Sequence, residues 1–245
     1  MRNQIASEFR KLMSTRSVYT MLAALLGFVA LAVIATVTDI DVSELQQPLE
    51  RQPFISAVLA VVPLFALLLG IRSFTDEFRH GSIVPTLLAS PNRTRVLGAK
   101  LVTNAVGGVA FAAAAMALAI AVGVPLLMGR GVEVTWSATA IAEVAGRLVA
   151  ATALWTAIGV GFGLVVRHQV AAVAGALIWI LAAEGILSAF MPGIGTYFPG
   201  TAGSALVGVN AQGLLSPAMA AAVLAGWAAV AAVTGGVLMH RRDVA

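Results

Sequence analysis

Residues 18–37 read VYTMLAALLGFVALAVIATV, a run without a single charge. Wound as a helix at 1.5 Å per residue, such a run is about 30 Å long, the thickness of a bilayer's hydrocarbon core. Five further runs of similar character follow, at residues 54–71, 101–128, within 138–166, at 170–190 and at 218–239. The chain is 60% hydrophobic and 11% charged, with a mean hydropathy of +0.95. That apolar share exceeds what a soluble domain can bury. The reading is an all-α, polytopic membrane protein with six transmembrane helices forming a single transmembrane domain over residues 1–245. The spans and their connections leave no room for a separate catalytic domain.

The connections set the expected orientation. Residues 1–16, MRNQIASEFRKLMSTR, place Met1, Ile5, Phe9, Leu12 and Met13 at helical spacings, with Arg2, Glu8, Arg10, Lys11 and Ser14 elsewhere. This predicts an interfacial helix with its basic side toward anionic lipid, Phe9, Lys11 and Leu12 being its characteristic residues. Asp39, Asp41, Glu44 and Glu50 make the first loop acidic and Arg51 follows, whereas the segment 72–100 carries Arg72, Arg79, Arg93, Arg95 and Lys100. Twelve basic residues fall on the side shared by the termini, against Arg51, Arg130 and Arg147 on the other. Basic residues near span ends stay inside, so both termini are expected in the cytoplasm.

Catalytic motifs are missing. The chain has no cysteine, no G-x-x-x-x-G-K-[ST] phosphate loop and no H-E-x-x-H pair. His80, His168 and His240 lie at span ends without the clustered carboxylates a metal site needs, so no catalytic, cofactor or metal residues are assigned. Gly159, Gly161 and Gly163 read as close helix packing. Pro63, Gly107, Gly108 and Pro125 mark expected kinks or bends.

Two groups stand out. Glu143, Arg147 and Glu184 enter predicted spans, where lone charges are costly, and are read as an intramembrane polar cluster. It serves either to orient helices or to line a transport route. The second group lies in the segment 72–100. Phe74 and Phe78, four apart, are expected to hold this cytoplasmic loop against the membrane. Asp76, Glu77, Arg79 and His80 remain available to a partner, Gly81 ends the turn, and Ser90-Pro91-Asn92 makes a turn and cap before the third span. Residues 191–217 are uncharged but broken by Pro192, Pro199 and Pro217, so they form an outer or re-entrant segment and no straight span.

These features resemble the ABC-2 type transporter permeases, membrane subunits of bacterial ATP-binding-cassette exporters. Ser7, Glu8, Lys11, Leu12 and Arg16 are similar to the family's amino-terminal lead-in. Glu77, Arg79, Gly81, Ser82, Leu87, Leu88, Pro91, Arg95 and Lys100 are similar to its loop between the second and third spans. The resemblance implies a multi-pass subunit of the bacterial cytoplasmic membrane, not an enzyme by itself. It would pair as a homodimer or heterodimer with a similar permease and with cytoplasmic ATPase subunits that bind ATP and Mg, and would contact lipid but no nucleic acid. It also implies that Glu77, Arg79, His80, Gly81, Phe74 and Phe78 couple to the ATPase. An ion-coupled secondary transporter using Glu143, Arg147 and Glu184, or a non-transporting scaffold, remain alternatives. Substrate identity does not follow from any residue.

Overall fold

The computed structural model describes residues 2–46, 49, 52–89, 92–209 and 215–241. Met1, Glu50, Arg51, Ser90, Pro91 and Arg242, which the sequence reading placed, lie outside the described residues, as do the side chains of Glu44, Leu87 and Pro192. Among the described residues the chain is helical, without strands. In order these are α1 (Arg2–Ser14), α2 (Arg16–Asp39), α3 (Val42–Leu45), α4 (Pro53–Arg79), α5 (Ile83–Ala89), α6 (Arg93–Gly129) and α7 (Ala138–Val166). After these come α8 (Gln169–Ile178), a π-helical turn (Trp179–Ala183), α9 (Glu184–Phe190), α10 (Pro192–Gly195), α11 (Pro199–Val207) and α12 (Pro217–Arg241).

Six segments are long and apolar enough to cross a membrane: α2, α4, α6, α7, the α8–α9 unit and α12. The protein is thus built as a multi-pass membrane protein. Pro63 and Pro125 sit inside unbroken helices, and α6 also runs through Gly107 and Gly108 without interruption.

The helices at the 72–100 segment run further than expected. The second span was read as ending at Ile71, yet α4 continues to Arg79, and α6 starts at Arg93. What was read as a loop is therefore two helix extensions bracketing α5. Loss of apolarity does not end a helix when its polar side chains find partners. Arg72 pairs with Asp76 one turn on at 2.9 Å, and the Thr75 hydroxyl donates to the Ile71 carbonyl. The helix stops where Gly81 takes a left-handed φ of 66°, a conformation glycine adopts without a Cβ clash. Asn92 then caps α6, its side chain accepting from the Arg95 amide.

α4 and α7 form the centre of the bundle, while α2, α8–α9 and α12 are more exposed. The centre is held by glycine. A Cβ at Gly159 would meet the Leu67 carbonyl, one at Gly163 the Ile71 carbonyl, and one at Gly70 the Thr156 carbonyl. α4 and α7 therefore touch backbone to backbone, as the glycine spacing on α7 predicts. Gly161 meets Ala231 of α12 in the same way.

Hydrogen bonds define two ends. At one end Arg93 donates to the Met239 carbonyl and Arg167 to that of Leu238, tying α6 and α7 to the last turn of α12. Two cations at a helix C-terminus oppose its partial negative charge. At the other end Arg130 donates to the carbonyls of Val37 and Ile40, closing the end of α2.

Candidate functional site

The site is at the end of the bundle that holds the amino-terminal helix. It starts from four charged residues on three helices: Glu8 and Lys11 of α1, Glu77 of α4 and Lys100 of α6. Lys100 Nζ lies 2.8 Å from Glu8 Oε2 and 3.0 Å from Glu77 Oε1. Lys11 Nζ lies 2.8 Å from Glu8 Oε1 and 2.9 Å from the same Glu77 oxygen. Each ammonium thus bridges both carboxylates, closing a ring of four ion pairs. Lys11 also donates to the Thr86 hydroxyl of α5 at 3.2 Å, and Lys100 to the Ser73 carbonyl at 2.8 Å. The Phe74 ring lies 5.0 Å from Lys100 Nζ, its face toward the cation.

The ring is graded in exposure. The side chains of Lys100, Glu8 and Glu77 are 3%, 7% and 9% exposed, while that of Lys11 is 44% exposed. Charge removed from water is tolerable only when paired and hydrogen bonded, and the buried three are. Burial acts to raise the Glu8 carboxyl, but Lys100 and then Lys11 outweigh it and hold it below its ordinary 4.5. Burial likewise acts to lower Lys11, yet its bonds to Glu8 and Glu77 leave it above its ordinary 10.5.

Beside the ring opens a cleft of about 940 Å³ between α1 and the ends of α2, α4, α5 and α6. Arg72, Asp76, Thr103 and Asn104 border it together with the ring. Arg72 reaches back to the Ser17 hydroxyl of α2, so every helix around the cleft is tied to a neighbour through a charged group.

The residues expected at this site divide by direction. Glu77 faces inward into the ring and is buried. Arg79 and His80 are exposed, Arg79 donating to Gln169 Oε1 at 3.0 Å and His80 Nδ1 lying 2.7 Å from the Asp76 carbonyl. Phe74 is fully buried under Lys100, and Phe78 packs at 5.0 Å from the Arg167 guanidinium. Both rings thus serve cations inside the bundle, where the expectation had them holding a loop to the membrane. The longer α4 is the reason, since it carries them past the bundle's own helices. On α1, Leu12 packs near Gly107 while Phe9 and Met13 stay exposed, so the face turned to the bundle is the one bearing Glu8. Lys11 turns into the ring instead of outward to lipid.

Glu143 and Arg147 pair on one face of α7, as their spacing predicts. Glu184 is held elsewhere. Its carboxylate accepts from the Gly200 amide at 2.8 Å and from the Thr201 amide at 3.3 Å, capping the N-terminus of α11. Among the described residues no ion pair joins it to Arg147. The structure thus brings together two members of the expected cluster and gives the third a separate task.

Sequence reasoning missed the ring as a unit. Glu8 and Lys100 were matched to motif positions, and nothing in their spacing placed them side by side. No family model matches the chain, and no curated protein matches it.

Proposed function

We propose that this chain is the membrane-spanning subunit of an ATP-binding-cassette transporter of the ABC-2 permease kind. It would move a substrate outward across the bacterial cytoplasmic membrane, with ATP and Mg bound by a separate ATPase. The observation that carries the reading is the four-residue ion ring. It binds the amino-terminal helix, the α4–α5 turn and the third span into one unit, at the end of the bundle where basic residues collect. A subunit driven from outside needs such a part, because a push on a surface turn reaches the spans only through connections that do not yield.

The roles at the turn follow from direction. Arg79 and His80 are the exposed groups a cytoplasmic ATPase would touch, with both termini on that same side. Glu77 passes the displacement inward to Lys11 and Lys100. α1 lies in the headgroup layer with Phe9 and Met13 toward lipid, and α10 and α11 shape the outer face before the last span. A similar second permease completes the pathway. An ion-coupled carrier has less support, since Glu143 is paired within its own helix and Glu184 is engaged by backbone amides.

The test is co-purification of the full-length chain from its own membranes, with any retained soluble protein checked for the G-x-x-x-x-G-K-[ST] phosphate loop. A retained ATPase that is lost from an Arg79→Glu, His80→Glu double variant, and retained but transport-inactive with Glu77→Ala, is the expected result. Recovery of the wild-type chain with no such protein would overturn the reading.

A further inference from the structure

The ion ring withdraws carboxylates from the surface as well as joining helices. Glu8, Asp76 and Glu77 are the described acidic residues at the end of the bundle that carries α1, and each is paired with Lys11, Lys100 or Arg72. Both lysines of the chain belong to the ring. Besides Lys11, Arg2, Arg10, Arg16, Arg79, Arg95 and Arg241 are exposed at this end, and among the described residues none of these arginines makes an ion pair. Exposed Asp39, Asp41, Glu133 and Glu143 lie toward the opposite end. The surface around α1 is therefore cationic without a compensating acid.

On α1 this charge is joined to apolar side chains. At about 3.6 residues per turn, Arg2, Ala6, Phe9 and Met13 stand in one row with Arg10 beside it, and all five are exposed. Phe9 is 41% and Met13 52% exposed, although both are large and apolar. Tyr19, at the start of the first span, is 51% exposed and donates its hydroxyl to the Met13 carbonyl at 2.8 Å, which fixes the turn between α1 and α2. Glu8 points away from this row, into the ring. The ring thus settles which side of α1 faces outward before any partner arrives, and a surface already ordered loses little freedom on binding.

We propose that the outward side of α1 is a binding surface for anionic membrane lipid, with Arg2, Arg10 and Arg16 on the headgroups and Phe9 and Met13 among the first methylenes. A guanidinium meets a phosphate through two parallel N–H bonds and is more weakly hydrated than an ammonium. A lipid with net negative charge is favoured over one whose choline cancels its phosphate, because no acid on this surface offsets the three arginines. The inference rests on the placement of α1 in the headgroup layer and adds the chemistry of the lipid. It does not depend on the ATPase.

The test uses the full chain in nanodiscs with no ATPase present and reads the association of spin-labelled lipids with the protein. In low salt, phosphatidylglycerol is expected to associate at least roughly fivefold more strongly than phosphatidylcholine, the effect of a single basic residue at an anionic surface. Salt at about 1 M should remove the difference. Arg2→Gln, Arg10→Gln and Arg16→Gln together are expected to bring the ratio near unity, whereas Arg95→Gln with Arg241→Gln should keep most of it. Equal association of the two lipids with the wild-type chain, or an equal loss in the two sets of variants, would overturn the proposal. The chain has no cysteine, so Ala6→Cys places a single nitroxide in the exposed row. A nitroxide that responds to a water-soluble relaxant as if in bulk water would remove the headgroup placement and the proposal with it. A lipid-like response combined with equal association would leave the placement standing and overturn the lipid preference alone.

Discussion

Lys100 reaches Glu8 at 2.8 Å although 92 positions separate them in the chain, and both side chains are almost closed to water. One bond thereby fastens the amino-terminal helix to the third span. Removing one partner of a buried ion pair costs roughly 3–5 kcal/mol, because the other charge is left behind. Lys100→Met should accordingly release α1, seen as faster amide exchange over Arg2–Ser14 with exchange in α7 unchanged. Exchanging the two charges alone, Glu8→Lys with Lys100→Glu, should not recover the protection, because each then faces a like charge on Lys11 or Glu77.

Acid and base should loosen α1 at opposite limits. Glu8 is held below 4.5 in the folded protein, so its contribution is present above that value and is lost as pH falls through the depressed one. Lys11 is held above 10.5, so its contribution is present below that value and is lost as pH rises through the raised one. Amide exchange in α1, corrected for its intrinsic pH dependence, should be flat between these limits and climb beyond each. Glu8→Gln should abolish the acid limb.

At the opposite end Glu184 serves the N-terminus of α11 through Gly200 and Thr201. Glu184→Ala leaves those two amides without their acceptor, at a cost of about 1–3 kcal/mol. The expected result is increased spin-label mobility at position 204 of α11, with α1 unaffected. Glu184→Gln, which keeps an accepting oxygen, should fall between the two. Equal mobility in wild type and Glu184→Ala would show that α11 is held by other contacts.

Gly159→Ala should be among the most damaging small substitutions, since the added Cβ meets the Leu67 backbone, which cannot turn aside. Overpacking of this kind costs typically 1–3 kcal/mol. Gly146, whose Cβ would meet nothing, is the matched control on the same helix. Loss of monodispersity on heating should come several degrees earlier for Gly159→Ala and stay put for Gly146→Ala.

The spans were legible because bilayer thickness imposes a length that a run of apolar residues either meets or misses. Glu143 and Arg147 were legible because four residues make one helical turn. The Asn92 cap and the Gly81 stop were legible from local backbone chemistry. Where α4 ends was not. Arg72, Asp76 and Glu77 look like the vocabulary of a solvated loop, and only their partners, among them Ser17, Lys11 and Lys100 on other helices, reveal a continued helix. The ring escaped notice for the same reason. Glu8 follows no local pattern that separates a buried carboxylate from an exposed one, and its partner Lys100 belongs to a helix whose docking the sequence does not state. Glu184 was assigned by expected depth to the nearest cation, while its actual acceptor role is toward backbone amides, which every sequence carries and none displays.

The glycine contacts between α4 and α7, extended to α12 by Gly161 against Ala231, have a mechanical consequence. Helices that meet backbone to backbone have no intervening side chains to rearrange, so they cannot slide or roll past each other without losing contact altogether. These three act as the stator of the molecule. Relative movement within the bundle then falls to the remaining spans: α2 and α6, which Arg72 and the ring fasten only near the last turns of α4, and the more exposed α8–α9 unit with its π-helical turn. The chain has put its stiffness in the middle and left its freedom at the rim.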